Sequence, residues 1–394
     1  MTGGTPEVAV IGGGIGGLAA VLALRRSGIR AAAYERTREL RAERSGHGLI
    51  LWHNAVLALR AIGFDKPLDT VGHPIGTYRF RAAADRTLAR WDLGPGAERY
   101  NAPVYAVSRP ALHRALAEEV GEDLHTGARC VALAQDDDGV VAGFEDGREV
   151  RAAVVVGADG LRSAVRRTLM PYEPPPRYAG YTAFQGVVHL PGAAEPGVFT
   201  NTFGAGKWFV HYPLADGHVY WDGILDERTA RRLDAFGMPA KSMLAQEFAG
   251  WPDPVPALIG ASAAERLAPV DIFDRDPVPR WTSGRVTLLG DAAHPMTFNL
   301  GQGVGQALED AVVLARCLAG DDGGPAGDPA AALLAYQRRR LDRTTRIVRR
   351  SRANGTFIRR RSPVMCRLRD TFVRVAFERL VFGKTYGLTM DTDF

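Results

Sequence analysis

EVAVIGGGIGGLAAVLALRRSGIRAAAYER, Glu7 to Arg36, is the stretch that decides the fold. Val8 to Ile11 reads as a short apolar strand, and Gly12, Gly14 and Gly17 spell G-x-G-x-x-G. An Ala/Leu-rich helix follows, then a second strand that ends at Glu35, with Arg36 beside it. Each part has a mechanical reason. Gly12 permits the tight turn, Gly14 lets backbone approach a pyrophosphate, and Gly17 lets the helix pack closely on the sheet. The helix N-terminus offers free N–H groups and positive potential to phosphates. Glu35 stands where an acid accepts hydrogen bonds from ribose hydroxyls. A lone glycine motif is weak, but strand, glycines, helix, strand and acid occur here in order, so a dinucleotide site is expected. An acid at Glu35 disfavours a 2′-phosphate, which leaves NAD and FAD open.

Two further units repeat the strand, sharp turn and helix pattern. They are VVVGADGLRSAVR, Val154 to Arg166, and RVTLLGDAAHPMTFNLGQGVGQALEDA, Arg285 to Ala311. Between them, the proline-rich PYEPPPRY (Pro171 to Tyr178) opens a region of short runs that alternate apolar and polar residues. YTAFQGVVHL, KWFVHYPL and HVYWDGIL are the clearest. That alternation predicts an antiparallel sheet. The expected fold class is α/β, a Rossmann-like dinucleotide domain with an inserted antiparallel β-sheet substrate domain and a C-terminal helical region. Residues 1–69, 101–175 and 280–330 form the first domain, 70–100 and 176–279 the second, and 331–394 the helical region.

Composition excludes several classes. Hydrophobic residues make up 46% and charged residues 24% of 394 positions, as in a globular protein. Cys130, Cys317 and Cys366 are far apart with no C-x-x-C spacing, so neither a disulfide framework nor a metal site is expected, and the cytoplasm is the default compartment. The N-terminus lacks a basic region before its apolar run, and no stretch approaches the roughly 18 apolar residues of a membrane span. The net charge of +5 is uneven: from Arg338 onward, 15 Arg and one Lys face five acids, which leaves −6 on the first 337 residues. Apolar residues at near-helical spacing, such as Ile347, Val348, Leu368 and Phe372, suggest that this tail docks on the body, with weak attachment to an anionic surface left open. Its Arg clusters lack interleaved aromatics that would stack bases, so no nucleic-acid partner is expected.

Taken in order, the three glycine units resemble those of the single-component FAD-dependent aromatic hydroxylases, the group that includes p-hydroxybenzoate, salicylate and urate hydroxylases. The resemblance runs from Val8 to about Asp370. It implies FAD as cofactor, with its ADP half at Gly12, Gly14, Gly17, Glu35 and Arg36. By the same resemblance Arg109, in Ser108-Arg109-Pro110-Ala111-Leu112, contacts FAD, Asp159 and Gly160 serve FAD and NAD(P)H, and Asp291 holds the ribityl chain. The Gly301 to Gly303 turn brings backbone amides toward the isoalloxazine, and Arg41, Arg44, Gly46, Gly48 and Asn54 match a segment around the flavin. The implied reaction uses NAD(P)H as co-substrate and O2. It hydroxylates or epoxidises an aromatic or other electron-rich small molecule through a C4a-hydroperoxyflavin, in natural-product metabolism. An oxidase, halogenase or redox-neutral cyclase outcome stays open, although the Trp-x-Trp-x-x-Pro segment of the halogenases is absent; a flavin-binding or nucleic-acid-associated regulator is a remote alternative.

Candidates for the substrate pocket are Trp52, His53, Phe184, Gln185, Trp208, Phe209, His211, Tyr212, Tyr220 and Trp221, with His211, Tyr212 and Phe298 singled out for catalysis. Two departures from the family matter. Phe298 stands where many relatives have proline beside the flavin, and Phe184-Gln185-Gly186 replaces Trp-Arg-Gly. Loss of that arginine disfavours a carboxylated substrate such as salicylate and favours a less polar phenolic, polyketide-like, indole or terpenoid compound.

Overall fold

The computed structural model describes residues 7–39, 48–235, 237–319, 327–377, 380, 383–392 and 394. Arg41, Arg44 and Gly46 lie outside them. At the centre is a five-stranded parallel sheet in the order Val286–Leu288, Val154–Gly157, Val8–Ile11, Ala31–Tyr34, Leu124–His125. The first four are short apolar runs, as strands covered on both faces must be. The helices Ile15–Arg26 and Gly303–Leu318 pack on one face so closely that a Cβ on Gly16 would lie 2.9 Å from the Ala307 Cβ. On the opposite side a three-stranded antiparallel sheet, Cys130–Gln135, Val140–Phe144 and Glu149–Ala152, contributes Val140, Ala142 and Phe144 to the same core. A third small sheet joins Gly48–Leu51, Val104–Ser108 and Gly72–Ile75.

The large sheet has seven strands, in the order Pro269–Asp274, Arg177–His189, His218–Asp226, Lys207–Pro213, Val198–Phe203, Thr77–Ala82, Arg86–Asp92. It departs from the antiparallel expectation in one place: Val198–Phe203 and Thr77–Ala82 run parallel. Those strands come from distant parts of the chain, so no hairpin dictates their direction. Alternation then divides its side chains between two cores. Trp208, Val210, Tyr212, Tyr220 and Ile224 belong to one, whereas Phe184, Phe209, Trp221 and Leu225 face the helices Ala240–Glu247 and Val255–Ala261.

The basic tail is built into the body. Asp328 caps the 30-residue helix Pro329–Ile358, accepting from the Ala330 and Ala331 amides at 2.9 and 3.2 Å. From this helix Arg340 donates to Glu309 (2.6 Å) and Asp310 (2.7 Å), all three fully buried, and Arg343 donates to Glu309 at 2.7 Å. Arg352 pairs with Asp274 and Asp276, and Arg361, farther along, with Asp226. The helices Pro363–Val375 and Gly383–Met390 follow. No helix among the described residues is long and apolar enough to cross a membrane.

Candidate active site

The Gly12–Gly17 turn sits at the carboxyl end of its strand, where an open parallel sheet presents its ligands. Gly12 has φ +113°, and a Cβ there would lie 2.4 Å from the Ala158 carbonyl oxygen; one on Gly17 would lie 2.0 Å from that of Gly12. Those two glycines serve chain packing. Gly14 differs, because a Cβ there would meet nothing within 4 Å: it borders open space. That space is a cavity of about 930 Å³ lined by Gly12, Gly13, Gly14, Glu35, Arg36, Arg109, Cys130, Asp159, Gly160 and Arg162, among others. Glu35 accepts from the Gly13 amide and from the Thr37 amide and hydroxyl, each at 2.9 Å, which fixes its carboxylate and leaves lone pairs for further donors.

Asp159 uses one oxygen locally, accepting from the Ala164 amide at 2.6 Å, while its Oδ1 is buried without a partner. Burial raises its pKa against the pull of Ser163 and the local amides. Ser163 caps the helix Ala164–Leu169. From that helix the buried Arg166 donates to the carbonyl oxygens of Ala292 and Ala293 at 2.8 and 2.7 Å, so the Asp159 unit holds the Asp291 turn. On its other side, Gly290 (φ +60°) donates its amide to Asp310 at 2.9 Å.

Asp291 opens on a second cavity, of about 640 Å³, and makes no protein hydrogen bond among the described residues. The protein packed around its carboxyl raises its pKa, with His294 and Arg109 pulling the other way. The side chain is open to the cavity, so the penalty is smaller than for an enclosed acid. Gly14, Ile15, Arg109, Ala158 and Gly160 line both cavities, which makes one passage from Glu35 to Asp291. Gly303, Val304 and Ala307 bring the N-terminus of a 16-residue helix to its inner end, and Gly301, left-handed at φ +62°, turns the chain into it.

Beyond Asp291 the passage widens against the large sheet. Trp52, Gln185, Trp208, Tyr212, Tyr220 and Phe298 line it, and so do Tyr78, Phe199, Asn201 and Asp222, which sequence reading missed. His211 and Phe184 are corrections, since neither reaches the cavity. Each neighbours a lining residue on its strand and therefore points to the opposite face. Burial lowers the His211 pKa to about 3, so it is a neutral interior imidazole. Phe209, Trp221 and Phe184 pack behind the sheet, and His53 is buried with Nδ1 and Nε2 against the Ala102 carbonyl and the Tyr386 hydroxyl. Tyr212 and Tyr220 are held neutral by burial, and Gln185 donates to the Tyr220 hydroxyl at 2.8 Å. Phe298 packs edge-on against Tyr181, ring centroids 5.9 Å apart. The phase of alternation was the available signal: Tyr220, Asp222 and Ile224 share one face of HVYWDGIL.

These residues suit a flavin dinucleotide. They combine an acid for ribose, an open glycine for pyrophosphate, two carboxylates with free acceptor capacity, and a helix N-terminus where a reduced flavin accumulates charge. Comparison with known proteins agrees, for residues 5–351 match the family model described as FAD binding domain. The chain belongs to the FAD-dependent aromatic hydroxylases. As a member of that family it is an FAD-dependent monooxygenase. It is 36% identical to a protein of Stigmatella aurantiaca named aurachin C monooxygenase/isomerase, over 96% of each chain. It is 39% identical to the 3-amino-4-hydroxybenzoate 2-monooxygenase PtnB3 of Streptomyces platensis, over 95% of this chain and 94% of that one. The crystal structure of Klebsiella pneumoniae HpxO complexed with FAD and uric acid superposes with TM-score 0.86 at 30% identity, covering 97% and 96%.

Proposed function

We propose that this monooxygenase uses NAD(P)H and O2 in the cytoplasm to hydroxylate or epoxidise an aromatic natural product in the cavity between Asp291 and the large sheet. The observation that carries the reading is the single passage from Glu35 through Gly14 and Arg109 to an aromatic pocket. When bound, FAD supplies electron transfer from the nicotinamide and the activation of O2. In this reading Glu35 and Arg36 hold the adenosine end and Gly14 with the helix N-terminus meets the pyrophosphate. Arg109 and the free Asp159 oxygen steady the middle, and Asp291 accepts from polyol hydroxyls. The amides following Gly301 face the ring. Trp52, Trp208, Tyr212, Tyr220 and Phe298 position the substrate and keep bulk water from the reacting atoms. No protein nucleophile is required. Residues 1–69, 101–175 and 280–330 serve FAD, 70–100 and 176–279 the substrate, and 331–394 brace both.

The expected result is a yellow protein that NADH or NADPH bleaches anaerobically, faster with substrate present, and whose product carries labelled oxygen from O2. A colourless protein that takes up no FAD sinks this reading. Unlabelled product points instead to an oxidase or a cyclase.

Weak attachment to an anionic bilayer surface is a separate reading, favoured by one feature. Val364, Leu368 and Val375 are 64%, 58% and 67% exposed, recur at helical spacing, and lie among Arg367 and Arg374. Cosedimentation with phosphatidylserine vesicles, lost in Arg367→Glu/Leu368→Ser, checks it; sedimentation unchanged by that pair refutes it.

A further inference from the structure

Strand register lines up three rows of side chains across the cavity face of the large sheet. The outer rows are apolar or phenolic: Val187, Tyr220, Tyr212, Phe199 and Tyr78 on one side, Ala183, Ile224, Trp208, Phe203 and Ala82 on the other. The middle row reads Gln185, Asp222, Val210, Asn201, Phe80, and all five line the cavity. A carboxylate and two amides therefore stand in the centre of an aromatic wall. Asp222 is 7% exposed and Asn201 6%, and the Oδ1 of each has no hydrogen-bond partner.

A buried acceptor left unmade costs of order 1–3 kcal/mol, more when charged, so two of them in one row, with Val210 between them and both facing one cavity, call for a donor from the occupant. The wall offers no cation to an acidic substrate: among the described residues Arg109, at the flavin end, is the lone Lys or Arg in the lining. Burial raises the Asp222 pKa to about 6, against the pull of Tyr220 and Gln185, so near neutral pH it is still mainly a carboxylate and would repel another.

We propose that Asp222, with Gln185 beside it and Asn201 two strands along the same row, selects an aromatic substrate that carries a ring N–H or O–H, and rejects carboxylated ring acids. This rests on the monooxygenase reading and narrows its substrate class. A ring N–H or O–H hydrogen-bonded to a carboxylate pushes electron density into the ring, which oxygen transfer to carbon requires. The chain would thus differ in preference from its relative named for aminohydroxybenzoate.

The test is binding to the FAD-loaded protein without reductant, read as perturbation of the flavin visible absorbance. The probes are 2-naphthol, 2-methoxynaphthalene and 2-naphthoate. The wild type is expected to bind 2-naphthol about tenfold or more tighter than its methyl ether, the size of one hydrogen bond to a charged acceptor, and to bind 2-naphthoate weakest. Asp222→Leu should bring the naphthol and ether within about threefold of each other. Asp222→Asn, which keeps an acceptor and the shape, should keep most of the preference for naphthol and bind 2-naphthoate more tightly than the wild type does. Retained yellow colour and melting temperature show that the variants fold. An unchanged naphthol-to-ether ratio in Asp222→Leu overturns the proposal, as does tighter binding of 2-naphthoate than of naphthol. Yellow, NADH-reducible protein that binds none of the three also overturns it while leaving the flavoenzyme reading standing.

Discussion

Replacing Asp291 with alanine distinguishes a flavin ligand from a structural turn acid, because the two roles predict opposite effects on the empty protein. As a turn acid, Asp291 would hold neighbouring amides, and its loss would destabilise the fold by about 0.5–2 kcal/mol, as lost caps do. The structure shows no such bond: the carboxylate accepts nothing from the described protein and faces a cavity deep enough to raise its pKa. Removing it should leave the flavin-free protein as stable as before, or slightly more so. With FAD the sign reverses. One hydrogen bond from a polyol hydroxyl to a charged acceptor is worth about 1.5–3 kcal/mol. The dissociation constant should rise roughly 10- to 150-fold.

Asp291→Asn, which keeps an oxygen acceptor without the charge, should fall between wild type and alanine. Urea unfolding of the apoprotein gives the first quantity, and quenching of flavin fluorescence on titration gives the second. The reasoning is refuted if Asp291→Ala loses more than about 1 kcal/mol of apoprotein stability while binding FAD normally.

Three further outcomes follow from the same geometry. Gly14→Ala should fold normally yet retain little FAD, since its Cβ meets only open space, whereas Gly17→Ala, whose Cβ would lie 2.0 Å from the Gly12 oxygen, should lose stability before binding is tested; circular dichroism and bound-flavin absorbance separate the two. Arg340→Met removes the guanidinium between two buried carboxylates, leaving Glu309 with Arg343 and Asp310 with His294, and should cost about 3 kcal/mol in urea unfolding, the low end for a broken buried pair, with Arg340→Lys intermediate. Burial alone would raise the Glu309 and Asp310 pKa values, but Arg340 with Arg343, and His294 with Arg340, outweigh it and hold both below their usual range. Their stabilisation is present above the unfolded value near 4 and is lost as pH falls through the folded one, so melting temperature should drop on acidification more steeply in the wild type than in Asp310→Asn.

The dinucleotide turn was legible in the sequence because each glycine answers a local demand: a positive φ at Gly12, a carbonyl beside Gly17, free space at Gly14. Local chemistry reports itself in local sequence. The pocket wall was half legible. Gln185, Trp208, Tyr212 and Tyr220 line it, while their chain neighbours Phe184, Phe209, His211 and Trp221 do not, because a strand gives adjacent residues to opposite faces. Picking aromatic residues in adjacent pairs ignored that period, and the same period would have found Asp222 two residues after Tyr220. The expected docking of the arginine-rich tail was readable as charge imbalance, but its partners were not. Glu309 and Asp310 lie on a helix about 30 residues away, and only the folded chain brings Arg340 between them.

That tail bears on the proposed flavin site through one short path. Arg340 is fixed to Asp310, Asp310 accepts from the Gly290 amide and from His294 at 2.6 Å, and Gly290 immediately precedes Asp291. From the other side Arg166 grips the two carbonyls that follow Asp291. The backbone carrying the carboxylate is therefore clamped by two buried guanidinium groups from distant parts of the chain, one acting directly and one through an acid. A carboxylate that makes no protein bond of its own can still be held in place if the peptides around it cannot move, and it then meets its ligand without ordering cost. The backbone at Phe298 is held by neutral side chains instead: Ser351 donates to the Thr297 carbonyl at 2.5 Å and Asn354 to the Asn299 carbonyl at 2.9 Å. Phe298 stands seven residues on, in a short turn, wedged against Tyr181 at the cavity wall. The clamps fix the backbone at Asp291, whereas the ring of Phe298 and the acid of Asp222 face the cavity beyond it. Those two side chains are where the shape and polarity of the pocket can change without disturbing the cofactor site.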